Sequence, residues 1–202
     1  MDLYLVGAGG LGREALDVAL ALGRSVVAFL DDELAGQTMR GLPVLAPPQA
    51  PRGEGYLIGI ADPVVRARLS GLLDSRGLTA ISLIHPTSGI GPETRLAGGC
   101  LVHANAYISS GVSIGAHCQV YYNVTLGHDA TLDDRVTVFP GANVAGSVHL
   151  ATDVTVGSNA VIRDELTVGR GSFVGAGAVV TRDVAPGLVV IGSPARPMEK
   201  RA

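Results

Sequence analysis

Apolar residues follow one rhythm over the first eighty positions and a different one over the rest. Leu3–Val6 is a short unbroken apolar run that ends in Gly7-Ala8-Gly9-Gly10-Leu11-Gly12. Behind those glycines Ala15, Val18, Ala19 and Leu22 recur at helical spacing until Gly23, which predicts a helix with a defined stop. Ser25 to Leu30, closed by Asp31 and Asp32, reads as a second strand, and Tyr56 to Ile60 as a third. Pro63 to Ser75 predicts a helix stopped by Gly77, followed by a short strand at Ala80 to Leu83. Strand and helix alternating in this way predict an α/β unit, a parallel sheet of roughly four strands covered by helices.

From Ile84 onward the period becomes six. Every sixth residue from Ile84 through Val180 is Ile, Leu or Val, seventeen times in succession. Four places after each sits a small or aliphatic residue in most hexads, such as Ala106, Val112, Cys118, Val124 and Val136. A repeat of this kind marks a parallel β-helix in which short strands stack and the aliphatic position points into the shaft. The pattern resembles the bacterial hexapeptide transferases. That likeness implies left-handed, three-sided coils with three hexads per turn, so that residues eighteen apart lie above one another. It places Cys100 over Cys118, either as a redox pair or as two small core thiols, and Asn105 over Asn123 as a stacked amide pair at a corner. Three segments follow: 1–83, a Rossmann-like domain; 84–185, the β-helix; and 186–202, a C-terminal cap and tail.

Composition narrows the function. Charged residues are 16% and hydrophobic ones 47%, which excludes a disordered chain. With 28 Gly, no Trp and 4% aromatics, the core has to be aliphatic and regular. A net charge of −3 supplies no basic field, so nucleic acid is not expected as a partner. Leu96 to His128 contains no Asp, Glu, Lys or Arg. It nevertheless carries Asn105, Ser109, Ser113, Gln119 and Asn123 at intervals, which a lipid-facing helix would not. No export signal opens the chain and two Cys make no disulfide framework, so a cytoplasmic protein without membrane contact is expected.

Chemistry can sit in two places. Of the five histidines none lies four or five residues from another and only His85 and His103 lie eighteen apart, short of three converging imidazoles, so no metal site is expected within one chain. His128 lies mid-shaft in Gly127-His128-Asp129, and one coil further on stands Gly146. A glycine above an imidazole leaves room for a substrate and exposes an N–H, pairing a general base with an oxyanion donor as acyl transfer requires. A solvated corner histidine has the same sequence. The turn at 7–12 matches G-x-G-x-x-G between strand and helix, where N–H groups hold a pyrophosphate, and Asp31 and Asp32 stand where a carboxylate meets a ribose. A tight turn that binds nothing is the alternative.

Taken together, Gly-Ala-Gly-Gly-Leu-Gly at 7–12, Phe29-Leu30-Asp31-Asp32, Ile58-Gly59, Ile84-His85-Pro86, the hexads, Gly127-His128-Asp129 and Gly192-Ser193-Pro194-Ala195-Arg196 resemble the nucleotide-sugar acyltransferases of the PglD and NeuD type. The resemblance covers essentially the whole chain. It implies a homotrimer that transfers acetyl from acetyl-CoA, its co-substrate, to a UDP- or dTDP-linked 4-amino sugar, feeding glycan biosynthesis without a metal. It implies His128 as base with Asp129 beside it. Gly9, Gly10, Leu11, Asp31, Asp32 and Gly59 would touch the nucleotide sugar, and Thr137, Gly146, Ser158 and Ala176 the acetyl-CoA. Leu11 and Thr137 stand where many relatives carry His. O-acetylation of a sugar or sialic-acid hydroxyl, and a non-catalytic nucleotide-sugar-binding trimer, are the competing readings.

Overall fold

The computed structural model describes residues 2–50 and 52–198, so the last residues of the expected tail, 199–202, lie outside the described residues. The first part contains β1 (Leu3–Val6), α1 (Gly10–Ala21), β2 (Val26–Leu30), β3 (Thr38–Met39), β4 (Leu42–Leu45), β5 (Gly55–Ile58), α2 (Pro63–Ser75) and β6 (Thr79–Ala80). They form one sheet in the order β3-β4-β2-β1-β5-β6, parallel throughout except for the β3–β4 pair. α1 turns Ala15, Leu16, Val18 and Ala19 onto the sheet. α2 begins where Asp62 accepts the N–H groups of Val64 and Val65 at 2.8 and 3.0 Å, with Pro63 in its first turn.

Two expectations need correction here. The sheet has six strands rather than about four, because β3 and β4 form a hairpin that the sequence hides. Its turn puts Arg40 and Gly41 at φ 49° and 82°, a conformation usually announced by Asn-Gly. The strand expected at Ala80–Leu83 is divided: Thr79–Ala80 pairs with β5, whereas Leu83–Ile84 pairs with Leu101–Val102 as the first rung of the solenoid.

Beyond residue 82 the chain winds as a three-sided parallel β-helix of two-residue strands. Leu83–Ile84, Leu101–Val102, Gln119–Val120, Thr137–Val138, Thr155–Val156 and Phe173–Val174 stack on the first face. The ladder through Tyr107–Ile108 and Thr125–Leu126 makes the second face, and that through Ser113–Ile114 and Thr131–Leu132 the third. Successive rungs are eighteen residues apart, and the inward aliphatics Ile108, Val138 and Ile162 are fully buried. Ile90, in the first coil with no coil below it, is 39% exposed. After Val180 the count shortens, because Val184 bridges Val168 and Val190 pairs with Val174, sixteen residues apart. Val189–Ile191 then closes against Arg196–Pro197 as an antiparallel pair.

The corners obey a second six-residue rule. From Glu93 to Gly177 every sixth residue has a positive φ, and Asn105, His117, Asn123, Asp129, Arg135 and Ser147 share that left-handed conformation with glycines. Asn105 and Asn123 are both corner residues of this kind; no hydrogen bond joins their amides among the described residues, and their backbone N–H groups donate to Thr87 Oγ1 and to the Ala104 carbonyl. Cys100 and Cys118 point inward as free thiols that donate to the carbonyls of Gly115 and Asp133, and burial raises the Cys100 thiol to about 11, so they are core residues. Along one edge the rings of His103, Tyr121 and Phe139 pack in a row, the first pair stacked at a centroid distance of 4.8 Å and the second tilted at 5.0 Å.

The two parts share a core. Leu83 and Leu101, which face outward from the solenoid, cluster with Leu3, Leu5, Ala15 and Leu16, and Leu11 packs against the cores of both parts.

Candidate active site

The corner at His128 follows from the coil's backbone. His128 accepts the Ser147 N–H through its carbonyl at 2.8 Å, which fixes its main chain on the coil above. Asp129 takes φ 58°, and that left-handed turn brings its carboxylate alongside its neighbour: His128 Nδ1 and Asp129 Oδ2 lie 2.9 Å apart. Adjacent side chains on a flat strand would diverge, and the bent corner removes that obstacle. Both side chains stay open to solvent, 66% and 69% exposed. In the neutral ring a proton on Nδ1 would be held by that carboxylate, which leaves Nε2 as the acceptor.

Gly146, in the coil above, lies against the ring. A Cβ there would sit 2.7 Å from both Nε2 and Cε1 of His128, so only glycine leaves the imidazole its place. The Gly146 N–H has no acceptor among the described residues. Beside this edge runs an open groove of about 330 Å³ on the second face, lined by Tyr107, Ser109, His128, Asn143 and Val161.

The other residues expected to touch acetyl-CoA divide. Ser158 and Ala176, eighteen apart, stack at the corner between the first and second faces, and their N–H groups have no acceptor among the described residues. Thr137 requires correction. It is fully buried beneath the N-terminal part, with its hydroxyl accepting from Arg66 Nη2 at 2.8 Å and donating to the Ala61 carbonyl at 3.3 Å. A hydroxyl committed on both sides and sealed from solvent does not reach an acyl donor.

On the N-terminal side a cavity of about 270 Å³ is lined by Gly7, Asp31, Asp32, Glu33, Ile60 and Arg68. Gly9 and Gly10 face open space, and α1 starts at Gly10 with no side-chain cap and no acidic residue in its first turn. Its first N–H groups are therefore available to an anion. Asp31 accepts the N–H groups of Ala8, Glu33 and Leu34, so it shapes the two loops around the cavity, while Asp32 lies on the lining. Gly59 and Leu11 need correction as contacts. Gly59 is buried, where a Cβ would meet the Gly12 Cα at 2.7 Å, so it lets α1 approach β5; Ile60 takes the lining place beside it. The Leu11 side chain packs inward, leaving only its backbone N–H in the first turn of α1.

Sequence reasoning missed Arg66 and Gln119, which are buried where the two parts meet. Nothing in local spacing marks them, since their partners across the junction lie 53 to 71 residues away. The row of rings from His103, Tyr121 and Phe139 was within reach of the eighteen-residue rule. Among the described residues no group of three or more His, Cys, Asp or Glu could hold a metal ion, and no helix is long and apolar enough to cross a membrane.

An imidazole oriented by a carboxylate, against a bare backbone N–H and beside an open groove, is equipment for acyl transfer. Comparison with known proteins agrees. The PglD N-terminal domain family matches residues 2–72. GDP-perosamine N-acetyltransferase from Escherichia coli O157:H7 is 33% identical over 164 residues, 73% of this chain and 72% of that protein. The acetyltransferase domain of PglB from Neisseria gonorrhoeae FA1090, solved with acetyl coenzyme A, is 30% identical with a TM-score of 0.89 over 98% of each chain. A variant of perosamine N-acetyltransferase from Caulobacter crescentus, solved with CoA and GDP-perosamine, is 25% identical with a TM-score of 0.94, covering 99% of this chain and 98% of that one. The chain belongs to the PglD-type sugar acetyltransferases, acyltransferases that join such an N-terminal domain to a left-handed β-helix.

Proposed function

We propose that this protein transfers the acetyl group of acetyl-CoA to the amine of a nucleotide-linked sugar, with His128 as general base. The observation that carries the reading is the pairing of His128 Nδ1 with Asp129 at 2.9 Å while Nε2 lies against Gly146. The sugar nitrogen attacks the thioester carbonyl, so a C–N bond forms and the C–S bond breaks. The proton lost by nitrogen goes to Nε2 and from there to the departing thiolate. Asp129 stabilises the imidazolium in between, and the Gly146 N–H faces the oxygen that gains charge. Ser158 and Ala176 offer two further N–H groups to the amide-rich arm of CoA. Gly9, Gly10 and Asp32 hold the nucleotide sugar, its diphosphate at the start of α1.

The cavity of the N-terminal part and the groove at His128 share no lining residue, which supports a homotrimer in which neighbouring copies bring acceptor and base together. Both substrates belong to the cytoplasm, where the protein works. The sugar nucleotide is UDP-, dTDP- or GDP-linked, the last because relatives carry GDP-perosamine in their names.

The test is thiol release from acetyl-CoA with a panel of UDP-, dTDP- and GDP-linked amino and hydroxyl sugars, read with the mass of the sugar product. Release with an amino sugar that gains one acetyl group supports the reading. Acetylation of hydroxyl sugars alone, or binding without turnover, overturns it.

A further inference from the structure

Arg66 is fully buried, yet among the described residues no ion pair includes it. Its guanidinium serves neutral oxygens instead. Nη1 donates to the carbonyls of Ile60 and Ala61 at 3.0 and 2.6 Å and to Gln119 Oε1 at 3.1 Å. Nη2 donates to Thr137 Oγ1 at 2.8 Å and to the Arg135 carbonyl. Gln119 answers with Nε2 bonds to the carbonyls of Ile58 and Ile60, both at 3.0 Å, so Arg66 also fixes which way that amide points.

These bonds converge on one short segment, Ile58 to Ala61, which joins β5 to α2. The carbonyls of Ile58, Ile60 and Ala61 face the junction. The other edge of the segment builds the nucleotide cavity: Gly59 lies against Gly12, and Ile60 lines the cavity and crowds Gly7. Gln119 and Thr137 stand nine residues before and nine residues after His128, at the two ends of the same coil. Burying a cation without a counter-ion is costly, and apolar contact through Leu83 and Leu101 already joins the two parts, so adhesion alone does not call for Arg66.

We infer that Arg66, acting through Gln119 and Thr137, is a positioning residue that fixes the floor of the nucleotide-sugar cavity relative to the coil that carries His128. The inference rests on the acceptor reading above. It predicts that acceptor binding depends on Arg66 and donor binding does not. Lysine is a poor substitute, because one ammonium does not span oxygens arranged for a planar fork.

The test compares the wild type with Arg66→Met, Arg66→Lys and the volume-conserving Thr137→Val. It measures hydrogen exchange over residues 58–62, the Kd of CoA, and the Kd of the GDP-, UDP- and dTDP-linked sugars. Arg66→Met is expected to raise both the exchange rate at 58–62 and the nucleotide-sugar Kd about tenfold, leaving CoA within about twofold, because displacing a positioned loop costs chiefly what that loop binds. Arg66→Lys is expected to fall between, and Thr137→Val to give a smaller change of the same pattern. Unchanged exchange at 58–62, or CoA affinity falling as far as sugar affinity, overturns the inference. Should Arg66→Met fail to fold, Thr137→Val decides on the same criteria. If the wild type binds no nucleotide sugar, the acceptor reading fails, and the exchange measurement alone still decides whether the clamp exists.

Discussion

The corner at His128 and the junction at Arg66 use polar side chains in opposite ways. At the corner two side chains, 66% and 69% exposed, share one contact and leave their remaining valences to solvent or substrate. At the junction a fully buried guanidinium spends its forks on oxygens of both parts, and only its Nε lacks a partner. Burial pulls the Arg66 pKa down to about 10, still well above neutral, so the cation persists in place. An unsaturated group can meet a substrate, whereas a saturated one can only hold position. Between the two lies the shaft, whose buried aliphatics each contribute about 1.5–3 kcal/mol and keep corner and junction in register.

The largest way to break this division is to weaken the shaft itself. Leu126, 1% exposed and two residues before His128, is expected to cost about 3 kcal/mol on Leu126→Ala, measured by denaturant unfolding. Corner substitutions should leave stability nearly untouched and act on rate. Gly146→Val is expected to lower kcat about thirtyfold by displacing the imidazole, with the melting temperature within a few degrees of wild type. Asp129→Asn should cost about tenfold in kcat, since an amide does not stabilise the imidazolium as a carboxylate does, while the KM values stay close to wild type.

The smallest effect concerns two other histidines. Burial lowers the pKa of His103 to about 4 and lowers that of His117. The unfolded chain therefore binds more protons than the folded one below the ordinary value of 6.5. Stability is full above that value and is lost as pH falls from about 6.5 toward 4. His103→Gln should flatten the dependence of melting temperature on pH across this window. An unchanged slope would remove His103 from the account.

How much was legible in the sequence follows the same division. The shaft was open to counting, because a parallel β-helix repeats its inward position every six residues and nothing interrupts the phase before Val180. The corner was legible for the same reason: His128 and Asp129 are neighbours, and Gly146 stands one coil away. The left-handed corner residues were hidden by chemistry, since Arg135, His117 and Glu165 occupy positions where Gly or Asn would have announced the turn. Thr137 misled for a different cause. The family resemblance set it among the acetyl-CoA contacts, but only the fold shows that the N-terminal part covers it. Arg66 was out of reach altogether, because its partners depend on how two separately patterned regions dock.

The most direct test of the central claim is the steady-state rate of His128→Ala with an amino-sugar nucleotide that the wild type acetylates. The account predicts a loss of about a hundredfold or more in kcat with assembly and melting temperature retained, as for a missing general base. A variant that stays within about threefold of wild type, well inside what a general base contributes, would contradict it.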